Sequence, residues 1–119
     1  MEKTATQNYL DLLPDSTKQK FAPVFGDIAK FYTTVYLIAR NEHIIGNDKP
    51  DRHEDKLDVI HNVQNRIEAF LNQNDLPGKD IMADIASDYF EDYVHYREPE
   101  IDMSNEEFLD IIRKVSQLK

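Results

Sequence analysis

Four acidic residues in the C-terminal third of the chain have a spacing that can hold a divalent cation. Asp88 and Glu91 are three residues apart, and so are Glu107 and Asp110. Side chains three residues apart share one face of an α-helix, so each pair directs two carboxylates the same way. Mg²⁺ prefers such oxygen ligands and assists hydrolysis at phosphate groups. An antiparallel hairpin of the two helices would bring Asp110 near Glu91 and Asp88, as a magnesium site requires.

The two pairs resemble those of the all-α nucleotide pyrophosphohydrolases, whose E-x-x-E and E-x-x-D pairs on neighbouring helices hold magnesium. The resemblance covers about a fifth of the chain, and its first pair begins with Asp88 where the family has Glu. It implies a magnesium-dependent enzyme that hydrolyses a nucleotide. The implied metal ligands are Asp88, Glu91, Glu107 and Asp110.

Two D-x-x-H pairs offer a second candidate for metal binding. They are Asp58 with His61 and Asp92 with His95, and their spacing is close to that of helical di-metal sites. Such a site needs ligands that point into the bundle, whereas His61 lies well off the apolar stripe of its segment. Cysteine is absent, which excludes thiolate ligands and fits a reducing cytoplasm. We therefore predict no metal site, cofactor or catalytic residue.

Charge is distributed unevenly along the 119 residues. Residues 1–50 contain six basic and six acidic residues, whereas residues 51–119 contain eight and 17, which accounts for the whole formal net charge of -9. Residues 80–110 contain 11 acids and one base, Arg97. Binding to phosphate groups depends on Lys and Arg, so we expect no direct nucleic-acid or membrane partner. A protein with a basic surface is the expected counterpart.

Apolar residues recur every three or four positions in five segments, which predicts an all-α protein. In the clearest segment, from Phe21 to about Ile45, Pro23 marks either the helix start or a kink. Ser104 and Glu107 fit a capping box at the start of the last segment. Short connections favour antiparallel neighbours. We therefore expect a single domain, residues 1–119, forming a compact antiparallel bundle of four to five helices, with three long helices and short N-terminal and C-terminal ones.

The segment 79–97 carries apolar residues on two sides. The stripe assigned to the core comprises Ile81, Met82, Ile85, Tyr89, Tyr93 and Tyr96. Phe90 and Val94 lie roughly opposite to it at about 100° per residue, and acids line the strip beside them. An aromatic centre with an acidic rim suits docking on a basic, apolar surface. The predicted partner-binding residues are Asp84, Asp88, Phe90, Glu91 and Val94.

These features favour a small, acidic, cytoplasmic module that binds another protein and is not an enzyme. Regulators, inhibitors and immunity-type proteins of bacteria and phages are often built in this way. The alternatives are the magnesium-dependent hydrolase described above and a structural subunit whose apolar faces pair in a homodimer.

Overall fold

Six α-helices contain 80% of the residues that the structure describes. The computed structural model describes residues 3–47, 54–99 and 101–118. The helices are α1 (Ala5–Asp11), α2 (Asp15–Phe25), α3 (Ile28–Asn47), α4 (Glu54–Gln73), α5 (Gly78–Val94) and α6 (Asn105–Ser116). The described residues include no strand, and none of these helices is long and apolar enough to cross a lipid bilayer. The predicted all-α bundle is confirmed, with six helices rather than four or five.

The additional helix arises because the second predicted segment is broken at Gly26. Helix α2 continues through Pro23 and ends where Gly26 takes a φ of 93°, a conformation that glycine adopts without steric cost. The carboxylate of Asp27 then accepts a hydrogen bond from the Lys30 amide at 2.7 Å and caps α3. The expected helix start at Pro23 is therefore wrong, since Pro23 lies inside α2 and the chain turns at Gly26.

Helix α3 is central to the bundle and packs against α1, α2, α4 and α5. Its buried side chains share one hydrophobic core with those of all the other helices. Each large apolar side chain that is fully buried stabilises the fold by roughly 1.5–3 kcal/mol. The largest of these side chains are Phe21, Phe25, Phe31, Leu10, Ile67, Leu71, Ile85 and Val115. Burial of the apolar stripes that the sequence reveals is therefore the main stabilising term.

Helix α6 begins with a simpler cap than the sequence predicts. The Ser104 hydroxyl accepts a hydrogen bond from the Glu107 amide at 3.1 Å. The Glu107 carboxylate does not reach back to Ser104, because it pairs with Lys30 of α3 and raises the pKa of that ammonium group through their hydrogen bond. A reciprocal capping box forms instead at α1, between Thr4 and Gln7, with distances of 2.9 and 3.1 Å.

Helix α6 packs mainly against α4 and α2, and not as a hairpin with α5. The connection from α5 to α6 covers residues 95–104. A connection of this length can span up to roughly 30 Å, so α6 need not lie beside α5. Helix α6 buries Ile111 and Val115 in the hydrophobic core. The adjacency of α5 and α6 in the sequence therefore does not become adjacency in space.

Candidate functional site

The outer face of α5 carries four of the five residues that the sequence predicts to bind a partner. Phe90 and Val94 are 45% and 58% exposed, and Asp84 and Glu91 are exposed on the same helix. Asp88 differs from them, because its carboxylate accepts a hydrogen bond from a tyrosine of α3. Asp88 therefore contributes to the α3–α5 interface, while the other four side chains lie at the surface.

His43 of α3 reaches α5 and contacts its exposed aromatic side chains. The centroid of the His43 ring lies 4.6 Å from that of Tyr93 and 5.1 Å from that of Phe90, with interplanar angles of 82° and 69°. Such edge-to-face contacts are favourable between aromatic rings. Val94 lies one helical turn beyond Phe90 on the same face. We call His43, Phe90, Tyr93 and Val94 the aromatic patch.

Tyr89 supports the aromatic patch from the core. Its ring packs edge-to-face on Tyr36 with a centroid separation of 5.6 Å, and its hydroxyl oxygen lies 2.7 Å from Nδ1 of His43. Burial raises the pKa of Tyr89, so its hydroxyl keeps the proton that it can donate to a neutral imidazole. The position of the His43 ring is therefore set by a buried side chain.

Tyr93 and Tyr96 lie at the surface, so their assignment to the core is wrong. Tyr93 is 55% exposed and Tyr96 is 95% exposed. At 100° per residue Tyr93 is about 80° from Ile85, at the margin of the buried face. Helix α5 ends at Val94, so its period no longer determines where Tyr96 points. The predicted stripe therefore faces the core in the first three turns of α5, but its side chains are exposed at the C-terminal end of the helix.

Two hydrogen bonds between tyrosine and aspartate tie α5 to α3. Tyr32 donates to Asp88 at 2.7 Å, and Tyr36 donates to Asp92 at 2.8 Å. Both partners advance by one helical turn from the first bond to the second. Burial, together with the neighbouring carboxylates, raises the pKa of both tyrosines. The two bonds fix the rotation of α5 about its axis, which decides which side chains face outward.

Acidic residues form a row along α5 that reaches the aromatic patch at Glu91, three residues before Val94. Asp80, Asp84 and Glu91 lie on one face of α5, because they are spaced by four and seven residues, and all three are exposed. We call these three residues the acidic strip. Glu91 lies 3.3 Å from His95, and Glu98 is exposed just beyond the helix. This side of the bundle therefore presents apolar and acidic groups next to each other.

The four acids that resemble a magnesium site have separate neighbours. Asp88 and Glu91 lie on α5, whereas Glu107 pairs with Lys30 and Asp110 pairs with a lysine of its own helix. Asp88 in turn accepts a hydrogen bond from Tyr32, so these carboxylates have separate partners. Across residues 3–47, 54–99 and 101–118, no three His, Cys, Asp or Glu side chains are grouped as metal ligands.

A second apolar surface is a groove of about 290 Å³ between α3, α4 and α6. Its walls include Ile45, Val59, Phe108 and Leu109. Val59 and Leu109 are largely exposed. The charged residue that lines the groove is Lys56. The residues that line this groove are therefore mostly apolar.

A polar cavity of about 570 Å³ lies between α1, α3 and the segment that follows α5. Tyr36 and Asp92 form part of its wall, and Lys3 and Arg97 are its basic residues. Both cations face acids of the same chain, since Lys3 pairs with Asp11 and Arg97 lies 3.9 Å from Asp92. The charges of this cavity are thus largely neutralised within the fold.

His43 is the surface residue that sequence reasoning missed. The sequence favours it as a cation near a helix C-terminus, where the helix dipole stabilises positive charge. Its hydrogen-bond partner Tyr89 is 46 residues away along the chain. Because no local period relates residues so far apart, only the packing of α3 on α5 reveals the contact.

Comparison with known proteins gives no functional lead. No protein-family model matches the chain, and no curated protein or solved structure matches it significantly. The function must therefore be argued from the surfaces of the molecule themselves.

Proposed function

We propose that this protein is a binding module that docks through the outer face of α5 on a basic surface of another protein. The observation that carries the proposal is the aromatic patch, in which Phe90, Tyr93 and Val94 are each about half-exposed and the rings of Phe90 and Tyr93 contact that of His43. A cytoplasmic regulator, inhibitor or immunity-type protein would use such a surface to cover part of its partner, with no chemical step of its own.

The apolar side chains of the patch supply the expected binding energy. Burial of apolar surface contributes roughly 25 cal/mol per Å², and large aromatic side chains near the centre of an interface usually dominate it. The patch is also preorganised, because Tyr89 holds His43 and His43 contacts both Phe90 and Tyr93. Side chains that are already ordered lose less entropy when a partner covers them.

Charge selects the kind of partner. The acidic strip lies beside the patch, within residues 80–110, which contain 11 acids and one base. Acids at the rim of an interface accelerate encounter with a basic surface and repel an acidic one. The same charge opposes binding to nucleic acid and to anionic membranes. A protein surface that combines Lys or Arg with apolar side chains fits both parts of the site.

Two synthetic peptides test this preference. Both are capped helices with leucine on one face; the first carries arginine on the other face and the second carries glutamate. We expect the protein to bind the arginine peptide in a calorimetric titration, more weakly at higher salt, and not to bind the glutamate peptide. Equal binding of both peptides, or of neither, would contradict the proposal.

Truncation of Phe90 locates the binding surface. Phe90→Ala should weaken binding of the arginine peptide by about tenfold or more, mainly through faster dissociation. The matched control is Leu109→Ala, which shortens an exposed apolar side chain in the groove and should leave binding unchanged. If Leu109→Ala weakened binding and Phe90→Ala did not, docking would be assigned to the groove and the role of α5 would be disproved.

Charge reversal distinguishes electrostatic acceleration of association from the apolar contacts that hold the complex together. Asp84→Lys combined with Glu91→Lys should mainly slow association with the arginine peptide and flatten its salt dependence. Reversal of Asp15, an exposed acid at the start of α2, changes charge away from the acidic strip. If Asp15→Lys had as large an effect as reversal of either strip residue, only the total charge would matter and the acidic strip would have no specific role.

A second copy of this chain is the competing occupant of the patch. In a two-fold dimer the same surfaces face each other, so the acidic strips of both copies would be brought close and would repel. We therefore expect a monomer in sedimentation velocity. A dimer that Phe90→Ala dissociates would support the alternative of a structural homodimer and contradict the proposal.

A further inference from the structure

Tyr96 terminates α5 in a backbone conformation that tyrosine rarely adopts. Its φ is 54°, in the left-handed region. The Tyr96 amide donates to the carbonyl of Tyr93 at 3.2 Å, and the Arg97 amide donates to that of Asp92 at 2.9 Å. These two bonds define a Schellman motif, whose left-handed position is usually occupied by glycine. At the end of α5, a tyrosine therefore occupies the left-handed position that glycine usually fills.

The same motif ends α4 with a residue that tolerates it better. Asp75 has a φ of 62°, and the Leu76 amide donates to the carbonyl of Leu71 at 3.0 Å. Aspartate is several-fold enriched in the left-handed region, whereas a bulky side chain there is an outlier whose Cβ crowds the backbone. Residues held in such conformations often mark functional sites. Only Tyr96 therefore needs an explanation beyond the turn itself.

The fold does not compensate for the strain at Tyr96. The side chain is 95% exposed, so its ring gains almost no packing within the protein. Glycine at this position would relieve the strain, and its effect on the stability of the folded chain would be favourable. The identity of residue 96 is therefore not accounted for by stability.

Tyr96 lies with its backbone close to that of the aromatic patch. It follows Val94 by two residues, and its amide is bonded to the carbonyl of Tyr93, so its backbone adjoins the patch. The exposed acid Glu98 follows it closely. An aromatic face near a carboxylate is a favourable environment for a guanidinium or ammonium group, through cation–π contact and charge.

We infer that Tyr96 is a docking residue that contacts a basic side chain of the protein partner, and that its strained position is retained for this contact. This inference rests on the proposed function of the α5 face. It adds a residue beyond the helix and a specific interaction, the stacking of an Arg or Lys side chain on the Tyr96 ring.

The test is a substitution with opposite expected effects on stability and binding. Tyr96→Gly should raise the Tm by about 3 °C, because the left-handed position is relieved. The same variant should bind the arginine peptide described above about fivefold to tenfold more weakly. Tyr96→Phe should keep most of the binding, since a phenyl face also attracts cations.

Asp75→Gly is the matched control, because it makes the same change at the same position of the motif after α4. The Asp75→Gly variant should be at least as stable as the unaltered protein and should bind the arginine peptide equally well. Peptide binding by Tyr96→Gly at full strength, or a lower Tm of that variant, would overturn the inference.

Failure of the inference and failure of the proposed function give different results. If the unaltered protein does not bind the arginine peptide, both are contradicted. If it binds and Phe90→Ala weakens that binding while Tyr96→Gly does not, the α5 face remains the docking surface and only the role of Tyr96 is disproved.

Discussion

The Nδ1 atom of His43 lies 2.7 Å from the hydroxyl oxygen of Tyr89, and this contact links the core to the exposed aromatic patch. Tyr89 is buried between α3 and α5, whereas His43 packs against the half-exposed rings of Phe90 and Tyr93. One hydrogen bond therefore orients the ring against which two proposed docking residues rest.

Removal of this hydroxyl should affect the patch more than the core. Tyr89→Phe keeps the buried ring and should lower the free energy of unfolding by about 1 kcal/mol, the usual value of one hydrogen bond. The ¹⁵N resonances of His43 should shift, because Nδ1 loses its partner. Tyr9→Phe, which changes an exposed tyrosine of α1, is the control. Unchanged His43 resonances in Tyr89→Phe would refute the contact.

The bond from Tyr32 to Asp88 should be measurable in a double-mutant cycle. Combining Tyr32→Phe with Asp88→Ala, we expect a coupling of about 1.5–3 kcal/mol in urea unfolding, because the acceptor is a carboxylate and the pair is partly buried. A second cycle, with Tyr36→Phe and Asp92→Ala, measures the equivalent bond one helical turn further along both helices. Coupling near zero in both cycles would mean that these bonds do not hold α5 in place.

Stability should fall at alkaline pH. Burial, together with the adjacent carboxylates, raises the pKa of Tyr32 and Tyr36 above the ordinary value of about 10. The unfolded chain then releases these protons more readily than the folded one, so the stabilisation is complete below about pH 10 and is lost as pH rises above it. Urea unfolding between pH 8 and 11 should show this decline. In the double variant Tyr32→Phe, Tyr36→Phe, the free energy of unfolding should fall less steeply with pH. An equally steep fall in both proteins would contradict the prediction.

Two glycines should respond in opposite ways to alanine. A Cβ at Gly78, the first residue of α5, would lie 2.6 Å from the backbone oxygen of Glu68, so Gly78→Ala should destabilise the protein by about 1–3 kcal/mol. A Cβ at Gly46 would meet no atom within 4 Å, so Gly46→Ala should stabilise α3 by about 0.5–1 kcal/mol. Thermal unfolding measures both, and equal effects would show that α4 and α5 are not in such close contact.

Magnesium should not stabilise the protein specifically. A ligand that binds only the folded state raises the Tm, and Asp88, Glu107 and Asp110 each have a separate partner within the protein. We expect millimolar Mg²⁺ or Mn²⁺ to shift the Tm no more than other salt of equal ionic strength. A specific rise that Glu91→Gln abolishes would favour the magnesium-dependent hydrolase instead.

The helical fold and most of its core were predictable from the sequence, because they follow from local periodicity. Ile81, Ile85 and Tyr89 repeat every four residues and are buried as predicted. The exposure of Phe90 and Val94 follows from the same period, since they lie opposite that stripe. The break at Gly26 was also encoded locally, as a glycine followed by the capping residue Asp27.

Contacts between distant segments were decided only by the tertiary structure. The sequence cannot show that Asp88 is bonded to Tyr32, that His43 joins the aromatic patch, or that α6 packs on α4 and α2. Helix periodicity specifies which face of a helix is apolar, but it does not specify which helix covers that face. The strained position of Tyr96 is a further case, because its left-handed φ depends on where α5 ends and not on the residue's own preference.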